Sequence, residues 1–314
     1  LAPAVIARLE HKLRRRAASV LPGDHLTPGA GDGMELAQLR LYEPGDDVRR
    51  LDPAASARTG EPHVRLQVPE RAVTTWLVLD VSPSMAFGTR GRLKSDVAEG
   101  VAEVVGRVGV RRGGRVAVVI AGDDEPRVLP PRPGRSALAA LRAVIGAGVV
   151  PDARTQRAGR RPRAVDVAPA SMFSGRRARL AEADRAPSPL AAALTRVARL
   201  ARSTGIVVVV SDFRDEGWAA ALRACGARHT VLAIEISDPG EAQLPAAGLL
   251  TLVDPESGQV VEADTSAPQL REAYVKAESQ RRAAVAAALR RARADHVVLC
   301  TERDWLRDLG RRMS

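Results

Sequence analysis

Asp80, Ser82 and Ser84 set three side-chain oxygens at i, i+2 and i+4, directly after the apolar run Thr74–Asp80 (TTWLVLD). In a loop turning off the carboxyl end of a strand, that spacing can bring all three onto one rim. Hard oxygens with no His or Cys among them suit Mg²⁺, and also Mn²⁺ or Ca²⁺, and suit Zn²⁺ poorly. The same residues could instead cap a following helix, and D-x-S-x-S alone does not separate the two readings. A second apolar run, Gly205–Ser211, ends in Ser211-Asp212-Phe213 and presents another carboxylate in the same way. Asp215 follows at i+3, where it reads as a solvated loop acid or as a further member of the site.

Positioning such groups requires strands that end together. Thr74–Asp80, Arg115–Ala121, Gly205–Ser211 and Thr230–Ile236 are short, apolar and β-branched, and His296–Cys300 adds a fifth. They do not alternate apolar with polar residues, which predicts a parallel sheet covered on both faces. Helical spacing marks Arg92–Val110, Ser136–Ile145, Pro189–Ala201, Gly217–Cys225, Gln269–Ala294 and Asp304–Arg312. Ser188 before Pro189 reads as a helix start. Strands alternating with helices predict an α/β fold, a doubly wound, mostly parallel sheet flanked by helices, and ligands in such sheets bind at the carboxyl ends of the strands. Residues 74–314 are expected to form this domain, with a basic, Pro/Gly-scattered insertion at 150–187. Residues 1–73 form an N-terminal extension expected to pack on it, with a helix at Val5–Val20 and strand-like pieces at Glu35–Tyr42 and Val64–Val68.

Composition bounds the remainder. Hydrophobic residues make up 45% of the 314 and aromatics 3%, so the core must be aliphatic. The net charge of +11 makes an acidic partner or nucleic acid conceivable, but so few aromatics leave no stacking platform for single strands. A nucleic-acid role would fall to the arginines of Arg154–Arg185, which otherwise read as a solvated loop. Only Lys12, Lys94 and Lys276 of the 48 basic residues are lysines. No apolar run is long enough to cross a membrane and Leu1–Glu10 has no leader pattern, so a cytoplasmic protein is expected. Cys225 and Cys300 read as free thiols.

D-x-S-x-S followed later by strand-Ser-Asp resembles the metal-ion-dependent adhesion site of von Willebrand factor A domains. A more specific block lies upstream: Gly31-Asp32-Gly33-Met34-Glu35, Leu39-Arg40, Tyr42-Glu43-Pro44-Gly45-Asp46-Asp47-Val48-Arg49, Leu51-Asp52 and Ser56-Ala57-Arg58. With His229, Asp238-Pro239, Glu241, Leu244-Pro245 and Asp254-Pro255-Glu256, it resembles the bacterial domain of unknown function 58 family, over about residues 30–150 and 188–314. The resemblance implies a von Willebrand factor A-like, Rossmann-type fold. It implies that Ser82 and Ser84 hold Mg²⁺ directly, that Asp80 and Asp212 act through water, and that Ser188 stands where the family usually has Thr. Asp52-Pro53 departs from the family's usual Asp-Trp. In the upstream block itself, Pro44-Gly45 predicts a turn, and Asp46-Asp47 are expected to cap the residues after them or to pair with Arg49, Arg50 or Arg58.

Relatives of this kind imply a MoxR-type AAA+ ATPase as partner, with a client protein, and no catalysis by the chain itself. The rival is a Mg²⁺-dependent hydrolase using Asp80, Asp212 and Asp215. A phosphatase of the haloacid dehalogenase type needs Asp where Ser82 stands, and no G-x-S-x-G occurs. Gly88–Ser95 (GTRGRLKS) lacks the G-K-[ST] of a phosphate loop and puts Lys94 inside a helix.

Overall fold

Strand β1 (Met34–Leu41) pairs antiparallel with β2 (His63–Pro69), with an irregularity of register between Leu36 and Gln38. The computed structural model describes residues 34–69, 73–89, 91–122, 125–146, 188–253 and 260–312. The helix expected at Val5–Val20 and the basic segment 150–187 lie outside them. The described residues fall into two compact units, one within Pro22–Val73 and one from Thr74 onward.

In the first unit, helix α1 (Pro53–Thr59) lies between the two strands in sequence. Asp52 Oδ1 accepts the Ala55 N–H at 2.9 Å, and Pro53 takes the first helical position, where no N–H is required. The departure from Asp-Trp therefore replaces an aromatic with a residue suited to starting a helix. Asp47 caps the next turn by accepting the Arg49 N–H at 3.0 Å. Asp46 holds Arg40 at 2.6 Å across the Pro44-Gly45 turn, and its other oxygen accepts the Glu43 N–H at 2.9 Å.

The second unit is built on β3 (Thr74–Asp80), β4 (Arg115–Ala121), β5 (Arg127–Pro133), β6 (Ile206–Ser211), β7 (Thr230–Ser237) and β10 (Asp295–Cys300). Among the described residues these form one sheet in the order β10-β7-β6-β3-β4-β5, parallel throughout except for the antiparallel edge strand β5. A separate antiparallel pair, β8 (Leu249–Val253) and β9 (Val260–Asp264), precedes β10 in the chain. Parallel neighbours need crossovers, and α2 (Lys94–Gly109), α3 (Gly134–Gly146), α4 (Pro189–Leu200), α5 (Trp218–Gly226) and α6 (Pro268–Arg291) lie between the strands, with α7 (Trp305–Arg312) at the end.

Alternate strand residues point to opposite faces, and in the central strands both sets are apolar and buried. Trp76, Val78, Val119, Val207 and Val209 join Leu194 and Val197 of α4, Leu222 of α5 and Leu289 of α6 in one core. Leu77, Leu79, Val118, Val208 and Val210 are buried too, as are Val97, Val101 and Val105 of α2, which packs on β3. Each such side chain contributes about 1.5–3 kcal/mol when fully buried. This is the doubly wound sheet expected from the run pattern, with each expected strand and helix of this unit found within a few residues. Among the described residues no helix is long and apolar enough to cross a membrane.

Candidate metal centre

β3 and β6 are adjacent and parallel, so their carboxyl ends deliver Asp80 and Ser211-Asp212 side by side. Asp80 Oδ2 accepts the Ser211 hydroxyl at 2.5 Å, while Oδ1 accepts the Ser82 N–H at 2.9 Å and turns the chain sharply off the strand. That turn faces the Ser82 and Ser84 hydroxyls toward each other, 3.1 Å apart and buried. The Ser82 side chain makes no capping bond to the short turn Pro83–Ala86 that comes next, so the helix-cap alternative does not describe it. Helix α2 is capped from elsewhere, by Asp96 accepting the Leu93 N–H at 2.8 Å.

The segment from Phe87 to Leu93 folds back so that the Lys94 N–H reaches the Phe87 carbonyl at 2.9 Å. A Cβ at Gly88 would lie 2.2 Å from the Arg92 carbonyl oxygen, so glycine is required for this close approach. A further tight turn follows β6. Ser211 Oγ also accepts the Phe213 N–H at 2.8 Å. Phe213 holds a left-handed backbone (φ 53°), buried, with its ring 4.9 Å from that of Trp218. Such a conformation is costly for a bulky residue and persists only where its surroundings enforce it.

Ser188 and Asp215 converge on the first turn of α4. Ser188 Oγ accepts the Ala191 N–H at 3.4 Å, and Asp215 Oδ2 accepts the Leu190 N–H at 3.0 Å. Asp215 is therefore a helix-capping carboxylate that binds the loop after β6 to the start of α4. The structure brings Asp80, Ser82, Ser84 and Asp212 together, and it sets Ser188 at the helix end beside Asp215.

Asp212 has a partner that the motifs do not announce. Lys94, fully buried at the start of α2, donates to Asp212 Oδ2 and to Glu241 Oε1, each at 2.6 Å. Arg214 Nε lies 3.1 Å from the same Glu241 oxygen and its guanidinium 3.5 Å from Glu278, which also holds Arg281 and Arg282 at 2.9 Å. The two site carboxylates consequently differ. Burial, and then the charge of Asp212, push the Asp80 carboxyl up to about 7 against hydrogen bonds from Ser211 and Ser82. Burial also pushes Asp212 up, but the charge and hydrogen bond of Lys94, with bonds from Arg214 N–H and Ser84, hold it below the usual aspartate value.

Residues 38–284 match the family described as Protein of unknown function DUF58. The uncharacterized protein Rv1480 of Mycobacterium tuberculosis is 36% identical over 309 residues, 98% of this chain and 87% of its own. The chain belongs to the DUF58 family. A shorter relative, the uncharacterized protein MAV169 of Mycobacterium avium, is 39% identical over 123 residues, 39% of this chain and 72% of its own. Among solved structures, an aerotolerance-related membrane protein from Bacteroides fragilis is similar with 15% identity and a TM-score of 0.42, over 77% of this chain and 98% of that one. A von Willebrand factor type A protein from Catenulispora acidiphila is similar with 14% identity and a TM-score of 0.36, over 77% and 42% of the two chains. The von Willebrand factor A-like α/β fold of this DUF58 chain rests on its own strand order and single antiparallel edge.

The donor set fits a hard divalent cation. Two hydroxyls 3.1 Å apart adjoin two buried carboxylates, one of which, Asp80, is pushed toward neutrality by burial and then by the charge of the other. A cation beside Asp80 would relieve that repulsion. The residues that sequence reasoning missed are Lys94, Arg214 and the role of Glu241. One signal was available. Lys94 lies on the same helical face as Val97, Ala98, Val101 and Val105, all buried, so its spacing put a charge into the core.

Proposed function

We propose that this DUF58 protein is a metal-dependent protein-interaction module in which Ser82 and Ser84, with Asp80 and Asp212 around them, hold Mg²⁺, with Mn²⁺ or Ca²⁺ as substitutes. The observation that carries it is the pair of facing hydroxyls at the end of β3, 3.1 Å apart between two buried carboxylates. Bound there, such an ion would keep much of its charge and offer an open position to a carboxylate oxygen of a partner. Asp80 and Ser211 shape the turn, Asp212 closes it from β6, and Ser188 is a candidate further ligand through the α4 start that Asp215 ties to the same loop. The partner we infer is a MoxR-type AAA+ ATPase, with this chain as its adaptor to a client and a cytoplasmic location, to which the free thiols Cys225 and Cys300 lend support.

The hydrolase alternative is less well supported. Asp215 is engaged by a helix N-terminus and Asp212 by Lys94, so neither carboxylate stands ready as a general base. Mg²⁺ titration by calorimetry on the wild-type protein and on Ser82→Ala/Ser84→Ala, repeated with the AAA+ partner, tests the proposal. We expect metal uptake and partner binding to be lost together in the double variant. Equal partner binding by both proteins would refute the clamp, and phosphate release abolished by Asp80→Ala would favour the hydrolase.

A further inference from the structure

A lysine in this chain is exceptional, since only three of its 48 basic residues are lysines, and one of the three is buried completely. Its place is the first position of α2, immediately after the loop that carries the hydroxyl pair. A compact ammonium can set two of its three donors on two carboxylates at once, a geometry a planar guanidinium meets differently. Lys94 does this with Asp212 and Glu241, both at 2.6 Å, while the Phe87 ring lies 5.8 Å from its nitrogen. Burying such a group is costly, and an apolar residue of similar volume would serve a core as well or better. The position therefore answers to the site and not to the packing.

We propose that Lys94 is a tethered counter-cation of the centre, a positioning residue that holds Asp212 in register and sets the affinity of the centre for divalent cations to a low value. This rests on the metal-site reading above and adds how the site is regulated. With Lys94 in place, one of the two carboxylates already has its positive partner, so an incoming dication gains only part of the attraction of the pair. Glu241 acts in the opposite sense. It draws half of the ammonium's bonding away from Asp212 and is itself shared with Arg214. The Asp238–Glu241 turn thus reaches the centre through Lys94.

The test is Mg²⁺ titration by calorimetry, without any partner, on the full chain as wild type, Lys94→Met and Glu241→Gln. Removing a positive charge should tighten Mg²⁺ binding about tenfold or more, and removing a negative one should weaken it by a similar factor. Damage to the fold alone would weaken both, so opposite signs are the signature. Should Lys94→Met not fold, Mg²⁺ added during refolding should recover it, and Glu241→Gln still reads the second arm. Binding by the wild type that is unchanged or weakened in Lys94→Met, or unchanged in Glu241→Gln, overturns the proposal and leaves the metal site standing. No Mg²⁺ heat from any of the three proteins overturns the metal-site reading and this inference with it.

Discussion

His229 illustrates how a single buried group ties stability to pH. Its Nδ1 accepts the Gly205 N–H at 3.3 Å and its Nε2 is buried without a hydrogen-bond partner among the described residues, so the ring is held neutral. Burial, and then the charge of Arg228, lower its pKa below the ordinary 6.5. The unfolded chain then takes up a proton, as pH falls through about 6.5, that the folded ring refuses. The contribution of His229 is whole above that value and declines below it, by up to about 1.4 kcal/mol per pH unit. Thermal melts of wild type and His229→Gln should show a smaller gap at about pH 5.5 than at about pH 7.5, and a constant gap would contradict it. At this scale the sequence was informative about Asp80, Ser82, Ser84 and Asp212, whose spacing after apolar runs is local. It was silent on Lys94 with Glu241, because that contact joins residues 147 positions apart. Asp215 was misjudged for the same reason: the N–H it accepts belongs to Leu190, 25 positions away.

At the scale of elements, the loop after the two serines is held by a residue far along the chain. Asp238, fully buried at the end of β7, accepts the Thr89 N–H at 3.0 Å and hydroxyl at 2.5 Å, the Gly240 N–H at 2.8 Å and the Thr301 hydroxyl at 2.6 Å. Four donors lose their acceptor in Asp238→Ala, which should cost about 3 kcal/mol of unfolding free energy. Urea denaturation should show a lower midpoint with an unchanged slope, and Asp238→Asn, which keeps one acceptor, should lose less. The strands that the sequence made legible are those buried on both faces, where an unbroken apolar run leaves little choice. β5 escaped because RVLPPRP carries three prolines and little apolar surface, a composition tolerated only on an edge. β8 and β9 escaped because each is only five residues long and Ala263 alone among them is buried, so neither carries the doubly buried run that marks the central strands.

Taken whole, the molecule places its chemistry where adjacent parallel strands end, and the helices following those strands carry the groups that tune it. The chain of ion pairs from Lys94 through Glu241, Arg214 and Glu278 to Arg281 and Arg282 runs from α2 to the long helix α6. Glu278→Gln should loosen Arg214 without removing a donor from the centre. Its cost should be about 1–3 kcal/mol in thermal stability, with Mg²⁺ titration shifting less than in Glu241→Gln. An equal shift would mean that charge is felt evenly along the whole row.

The outermost strand bears on something apart from metal or partner. Pro130, Pro131 and Pro133 of β5 have no N–H to offer, which interrupts the row of donors a foreign strand would need to zip onto that rim. Replacing Pro130 and Pro131 with threonine should therefore raise light scattering of concentrated solutions while leaving the melting curve of dilute ones nearly unchanged. In a crowded cell, a rim whose donors are interrupted in this way would hinder neighbouring copies from growing into a shared ribbon.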